Sequence, residues 1–236
     1  MRIDGRLQNE MRLINITRDF IKYPEGSVLF EIGNTKVICN ASIDNAVPPF
    51  LLNGDKGWLT AEYSMLPRAT HTRNQREAIK GSLSGRTQEI SRLVGRALRA
   101  SLDLNKLPGK TIIVDCDVIQ ADGGTRVASI TGGFIAVALA IKKLLENNII
   151  LENPVKDYVA AISTGIIDDE ICLDLNYEED SRAIVDFNLV ATGSGKIIEI
   201  QGTAEKAPFD NDCLQFMISS GLKGIKTLID LQRRIV

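Results

Sequence analysis

The run Asp122-Gly123-Gly124-Thr125-Arg126 joins a hydrophobic segment, TIIVDCDVIQ, to a long stretch of small and apolar residues. Adjacent glycines allow a close backbone approach, the threonine offers a hydroxyl, and the arginine is a planar cation that can grip two oxygens at once. If a helix starts here, its first N–H groups are unpaired, and the whole reads as a cradle for an anion. The run lacks the Gly-to-Gly-Lys spacing of a Walker loop, and no G-x-G-x-x-G dinucleotide fingerprint is present. It also reads as a tight strand-to-helix turn that carries a surface arginine.

A second constellation is LDLNYEEDSRAIVD, with Asp174, Asp180 and Asp186 six residues apart. Asp186 falls between AIV and FNLV, inside an expected strand, where a carboxylate needs a partner or a metal. With no histidine or cysteine nearby, hard oxygen donors favour Mg²⁺ or Mn²⁺ over zinc. The plainer reading is an acidic loop with one strand-facing aspartate. A third element, SGRTQEISR, sets Arg86 at the entrance of a basic helix. Together, an anion cradle, a separate arginine and a carboxylate-bound divalent ion suit phosphoryl chemistry. No Ser-His or Cys-His pair is apparent, so phosphate itself could be the nucleophile.

These groups need elements to hold them. GSVLFEIGNTKVICNASI alternates and turns at Gly33-Asn34, which predicts a β-hairpin. Strand character returns near Gly57–Tyr63. From Thr87 to Leu102, Ile90, Leu93, Val94, Ala97, Leu98 and Ser101 share one helical face, with Arg92, Arg96 and Arg99 on another. Residues 126–146 are apolar nearly all round and predict a buried central helix. Its Gly132-Gly133 pair, at about 1 kcal/mol each against helix formation, implies close packing on a sheet. ENPVKD looks like a junction between halves, 1–150 and 151–236. Beyond it, hairpins are expected to turn at Asp168-Asp169 and Gly193–Lys196, and an amphipathic helix to start near Asp210. Strands followed by helices in each half predict an α+β fold with helices packed on mixed sheets.

Composition bounds the rest. Across 236 residues, 44% hydrophobic and 25% charged content is ordinary for a soluble globular protein. The four cysteines are widely spaced and read as buried thiols of a reducing, cytoplasmic compartment. A start charged from its second residue is unlike a secretory signal, and the run Phe134–Ile141 is too short to span a bilayer. A net charge of −2 hides an asymmetry. Arg68–Arg99 holds seven arginines and one lysine against two glutamates, whereas Ile166–Asp186 holds eight acids against one arginine. Concentrated arginine suits an anionic ligand or an acidic partner surface, although charge runs are also commonly solvated faces.

The strings MRIDGR, GWLTAEYSMLPRATHTR, SGRTQEISRLVGRALRA, DCDVIQADGGTR, LDLNYEEDSRAIVDFN and TGSGKIIEIQGTAE, in this order, resemble the ribonuclease PH family nearly end to end. The resemblance implies a phosphate-dependent 3′→5′ exoribonuclease, a tRNA nucleotidyltransferase that trims tRNA precursors and takes part in RNA processing, rRNA included. It implies a fold like ribosomal protein S5 domain 2, in two β-α halves, and a hexameric ring of dimers with no membrane association. By the same resemblance, Arg86, Gly124, Thr125 and Arg126 bind phosphate and Asp180 and Asp186 hold Mg²⁺, with Mn²⁺ as the alternative. Arg86, Arg126, Asp180 and Asp186 form the catalytic set. Arg68, Arg73, Arg76, Arg92 and Arg99 are the expected RNA contacts, the loop from Arg68 to Arg76 lying also at subunit contacts. Three departures stand out: Asn176 for a usual aspartate, GSLSGR for GKQSGR, and TAEKAPFDND for a TAEG form. A non-catalytic RNA-binding ring subunit of an exosome-like assembly would be expected to lose part of the site set, all of which is present here. A small-molecule kinase is the other rival, opposed by the missing ATP loop.

Overall fold

The hairpin at Gly33-Asn34 seeds the first sheet in the computed structural model, which describes residues 2–52 and 56–236. Strands β2 (Gly26–Ile32) and β3 (Thr35–Asp44) pair antiparallel across that turn, with Gly33 in the left-handed region at φ 56°. β1 (Ile14–Arg18) adds to the β2 edge. β5 (Thr111–Gln120) pairs antiparallel with β3 and parallel with β4 (Trp58–Met65), so the sheet is mixed, in the order β1-β2-β3-β5-β4. The second sheet is antiparallel throughout, in the order β7-β6-β8-β9. Its strands are β6 (Val159–Ile167), β7 (Glu170–Leu173), β8 (Val185–Thr192) and β9 (Ile197–Ala204). The hairpins turn where the sequence places them, through Asp168 and Asp169 at positive φ and through Gly193–Lys196.

A one-turn helix, α1 (Glu77–Lys80), lies between β4 and α2 (Gly85–Ala100). α2 begins two residues before the expected Thr87, because the Ser84 hydroxyl accepts from the Thr87 N–H and caps it. That cap puts Arg86 in the first turn. The central helix α3 (Thr125–Glu146) packs on β2, β3 and β5 on one side and on β6 on the other. A Cβ at Gly132 would sit 2.8 Å from that of Phe30 and 2.9 Å from the Cys39 sulfur, the close approach its glycines imply. By length and hydropathy α3 could cross a bilayer, contrary to the shorter run seen in sequence. However, 83% of its most apolar window is buried inside this fold.

A short helix, α4 (Tyr177–Arg182), precedes β8, and the last helix, α5 (Asn211–Ile235), covers β6, β7 and β8 from an N-cap at Asp210. Each sheet lies on its own side of residue 150, yet one hydrophobic cluster continues from Phe30 and Val114 through Phe134 to Ile162 and Leu228. Cys39, Cys116 and Cys172 are buried as expected. Cys213 is only half-buried, because it lies in the first turn of α5.

Candidate active site

After β5 the backbone passes through two consecutive left-handed residues, Gly123 at φ 74° and Gly124 at φ 68°. Any other residue type would be strained there. At Gly123 a Cβ would also stand 2.6 Å from the Leu175 carbonyl oxygen and 2.8 Å from the Tyr177 nitrogen. The glycines therefore press this loop of the first half onto the entry to α4 in the second. Gly124 caps α3 without a side-chain hydrogen bond, so the first-turn N–H groups of a long helix open towards that junction.

The side chains that follow are held from both halves. Thr125 Oγ1 lies 2.9 Å from the hydroxyl of Tyr63, a β4 residue that is 4% exposed. Burial raises the Tyr63 pKa, against the pull of the Thr125 hydrogen bond and the charges of Arg86 and Arg126, so Tyr63 stays a neutral phenol. Arg126 Nη1 donates to Gln201 Oε1 on β9 at 2.9 Å and lies 3.7 Å from the Glu89 carboxylate on α2. Gln201 in turn donates to Glu89 at 3.1 Å.

Asp180 and Asp186 lie within reach of the Arg126 charge. Burial raises the Asp180 pKa, and the charges of Arg126 and Arg86 oppose the rise. Burial also raises Asp186, with the Asp180 charge next, while Arg126 and an Asn188 hydrogen bond of 3.2 Å pull the other way. Two half-buried carboxylates, one of which disfavours the charge of the other, form a donor set a divalent cation fits. Among the described residues no group of three potential metal-ligating side chains occurs. A hydrated ion such as Mg²⁺, which keeps several waters, is compatible with two protein carboxylates.

Asn176 has a clear local task. Its side chain accepts from the Glu179 N–H at 2.9 Å, and the Glu179 carboxylate accepts from the Asn176 N–H at 3.1 Å, forming a capping box. Asparagine caps a helix about as well as aspartate, so this departure leaves α4 and its Asp180 in place. Asp174, grouped with the acidic constellation in sequence, belongs elsewhere. It is fully buried at φ 56° and takes both Nε and Nη2 of Arg12, at 2.9 and 2.6 Å.

Arg12 is one of three N-terminal arginines, with Arg2 and Arg6, that converge on Asp174 and Glu179. Arg2 Nε donates to Glu179 at 2.7 Å, and both groups are almost fully buried. Burial pushes the Glu179 carboxyl up, but the Arg2 hydrogen bond, the Asn176 N–H and the charges of Arg2 and Arg6 carry it below its ordinary value of 4.5. A depressed carboxylate contributes stability above its unfolded pKa, and that contribution is lost as pH falls through the folded value. Glu179→Gln should therefore lower stability at pH 7 by on the order of 3 kcal/mol. Thermal melts should show the gap to wild type closing as pH drops below about 4.5; a gap independent of pH would contradict the ion pair.

The structure thus brings Arg86, Gly124, Thr125, Arg126, Asp180 and Asp186 to one junction. Arg68, Arg73 and Arg76 are exposed on the segment after β4, which runs beside the cradle through the Ala121 N–H to Ala69 carbonyl bond of 2.8 Å. Arg92 is exposed on α2. Arg99 is half-buried, with its guanidinium 4.7 Å over the Trp58 ring and an Nη1 donating to the Leu59 carbonyl. Arg96 pairs with Glu199 on β9. Sequence reading missed Tyr63, Gln201, Glu89 and the N-terminal arginines. An aspartate inside the apolar string ICLDL, which demands a buried cation, was the available signal for Arg12.

Residues 10–143 match the profile of the 3′ exoribonuclease family, domain 1, and residues 157–224 match that of domain 2. The chain belongs to the 3′ exoribonuclease family. Ribonuclease PH of Bacillus velezensis and that of Bacillus subtilis are each 59% identical to it over 237 residues, covering 100% of this chain and 97% of theirs. Among solved structures, rice (Oryza sativa) Rrp46 superimposes with a TM-score of 0.79 at 21% identity, covering 98% of both chains. An Archaeoglobus fulgidus exosome chain, from a structure with RNA bound to the active site, gives 0.81 at 23% identity, covering 97% of this chain and 91% of that one. At those identities the two structures show a shared fold.

Proposed function

We infer that this exoribonuclease shortens RNA from the 3′ end by phosphorolysis, trimming tRNA precursors and releasing nucleoside diphosphates. Full-length identity of 59% to ribonuclease PH carries the reading. The joining of the Thr125-Arg126 cradle to the Asp180–Asp186 pair supports the chemistry. Inorganic phosphate is the second substrate: its oxygen attacks the phosphorus of the last linkage, and the 3′ oxygen of the preceding nucleotide leaves and takes a proton. The products are a nucleoside diphosphate and an RNA one residue shorter.

No covalent nucleophile of the protein is needed. His71 packs against the Tyr177 ring, and Cys39 and Cys116 are buried in the core. Arg86, Arg126, the Thr125 hydroxyl and the N–H groups after Gly124 hold the attacking phosphate in line. Asp180 and Asp186 are the residues that would hold Mg²⁺, or Mn²⁺ in its place. Such an ion would offset negative charge on the phosphate under attack. Arg68, Arg73, Arg76 and Arg92 supply positive charge for the RNA backbone.

A hexameric ring of dimers fits the exposed apolar side chains Ile79 and Leu83 within the basic segment and Leu66 just before it, which a subunit contact would cover. Four free cysteines fit a cytoplasmic setting. A non-catalytic ring subunit would lack part of the cradle or the carboxylate pair, both complete here. The deciding experiment incubates the protein with a tRNA precursor and Mg²⁺, with and without inorganic phosphate. Shortening only with phosphate, with nucleoside diphosphates released, is the expected result; monophosphates in phosphate-free buffer would refute it.

A further inference from the structure

We propose that Arg12 is a positioning residue that fixes the distance between the phosphate cradle and the metal-binding carboxylates. The inference rests on the phosphorolytic reading above. Cradle and carboxylates come from different halves of the chain, and phosphorolysis needs them in register to a fraction of an ångström.

Arg12 is 7% exposed and bridges the two parts directly. Its Nη1 donates to the carbonyl of Asp122, the residue before Gly123-Gly124. Its Nε and Nη2 take both oxygens of Asp174, and its backbone N–H adds a third bond to that carboxylate at 2.8 Å. Asp174 leads into α4, which carries Asp180. Beyond it, the Asp174 N–H donates to the Ser163 carbonyl at 2.7 Å and the Leu175 N–H to the Ser163 hydroxyl at 3.1 Å, so the strap is anchored on β6. Gly124 completes the fit, since a Cβ there would lie 3.4 Å from Arg12 Nη2. A second tie runs parallel: the Asp122 carboxylate accepts from the Tyr177 N–H, the first residue of α4, at 3.2 Å, and from the Asn34 side chain at 3.2 Å.

Arg2 provides the internal comparison. It is equally buried and clamps Glu179 and the Leu173 and Asp174 carbonyls, yet it makes no hydrogen bond to the Asp122–Gly124 loop. A lysine at either position keeps the charge and loses the planar fork. Both substitutions should weaken the fold. Loss of the Arg12 fork removes the direct bond between the cradle loop and the Asp174 strap, which loss of the Arg2 fork leaves in place.

The test compares Arg12→Lys, Arg2→Lys and Asp122→Ala with wild type in the full-length protein, at a temperature well below each melting point. Phosphate is varied at saturating tRNA precursor. Arg12→Lys should lower kcat by on the order of 100-fold, as expected for a misplacement near 1 Å, with phosphate KM within about threefold of wild type. Asp122→Ala, which leaves no buried charge unpaired and so folds readily, should show the same pattern at about 10-fold. Arg2→Lys should lower the melting temperature while kcat per folded molecule stays within about threefold. The inference is overturned if Arg12→Lys and Asp122→Ala keep wild-type kcat, if the loss appears in phosphate KM with kcat retained, or if Arg2→Lys loses kcat as deeply as Arg12→Lys. Should Arg12→Lys fail to fold, Arg12→Gln, whose amide can reach Asp174 or the Asp122 carbonyl but cannot bridge both, decides between a kcat loss and none. A wild-type protein that releases no nucleoside diphosphate would refute the phosphorolytic reading, and the inference with it; an active wild type with unaffected variants refutes the inference alone.

Discussion

Arg126→Ala should leave the protein folded and slow phosphorolysis by about 30- to 1000-fold, equivalent to about 2–4 kcal/mol of transition-state stabilisation. The fold should survive because the side chain is tied only at the rim of the site. Arg126 makes one hydrogen bond to the Gln201 amide and a 3.7 Å approach to a half-exposed Glu89. Neither partner is left buried with an unpaired charge. The rate should fall because the guanidinium is the cation in the first turn of α3, beside open N–H groups and the Thr125 hydroxyl. Its planar fork can take two phosphate oxygens as charge accumulates, which an alanine cannot replace and a lysine replaces only in charge. Arg126→Lys should therefore recover part of the rate. Steady-state kinetics with varied phosphate, together with a thermal melt, checks both halves of the expectation. A near wild-type rate and phosphate KM in Arg126→Ala would reject the assignment.

The dependence of Arg126 on Gln201 and Glu89 shows where reading the sequence ends. The cradle itself was legible because every requirement is local: two positive-φ glycines, a helix start, a hydroxyl and an arginine, all contiguous. The hairpins and the buried central helix were legible for the same reason, since periodicity and turn residues act over a few positions. Gly123 was understood only in part. Its freedom suggested room for a ligand, whereas its nearest neighbours are the backbone of Leu175–Tyr177, more than fifty residues away.

Asp174 is the clearest misreading. Its six-residue spacing to Asp180 and Asp186 suggested one acidic cluster, but the chain turns at φ 56° and buries it against Arg12. The surroundings of Arg99 were equally hidden. Helical spacing set it on a basic face, and only the packing of α2 on β4 reveals Trp58 beneath it. α4 was overlooked although Asn176 and Glu179 form the capping signature. A six-residue helix is too short for hydrophobic periodicity to announce.

Asp180→Asn and Asp186→Asn should each lower turnover by on the order of 100-fold or more, while RNA affinity holds or rises. Both residues are half-buried, and both lie near Arg126, so an uncharged amide of the same shape removes charge without opening a cavity. Losing one carboxylate would weaken the hold on a divalent ion for which the proposed site offers these two donors. It also takes one negative charge from a surface that an RNA phosphate must approach, which is why binding should not suffer. The pairing of the two residues makes the prediction sharper. The Asp180 charge disfavours ionisation of Asp186, so Asp180→Asn should ease it, yet turnover should still collapse because one carboxylate cannot replace two. A Mn²⁺ titration of the protein without RNA should show weaker binding in each variant, and raising the metal concentration should restore part of the turnover. Gel-shift affinity for a tRNA precursor should stay at or above the wild-type level. If both variants turn over normally at limiting Mg²⁺ and bind Mn²⁺ as tightly as wild type, the carboxylate pair has no part in holding the ion.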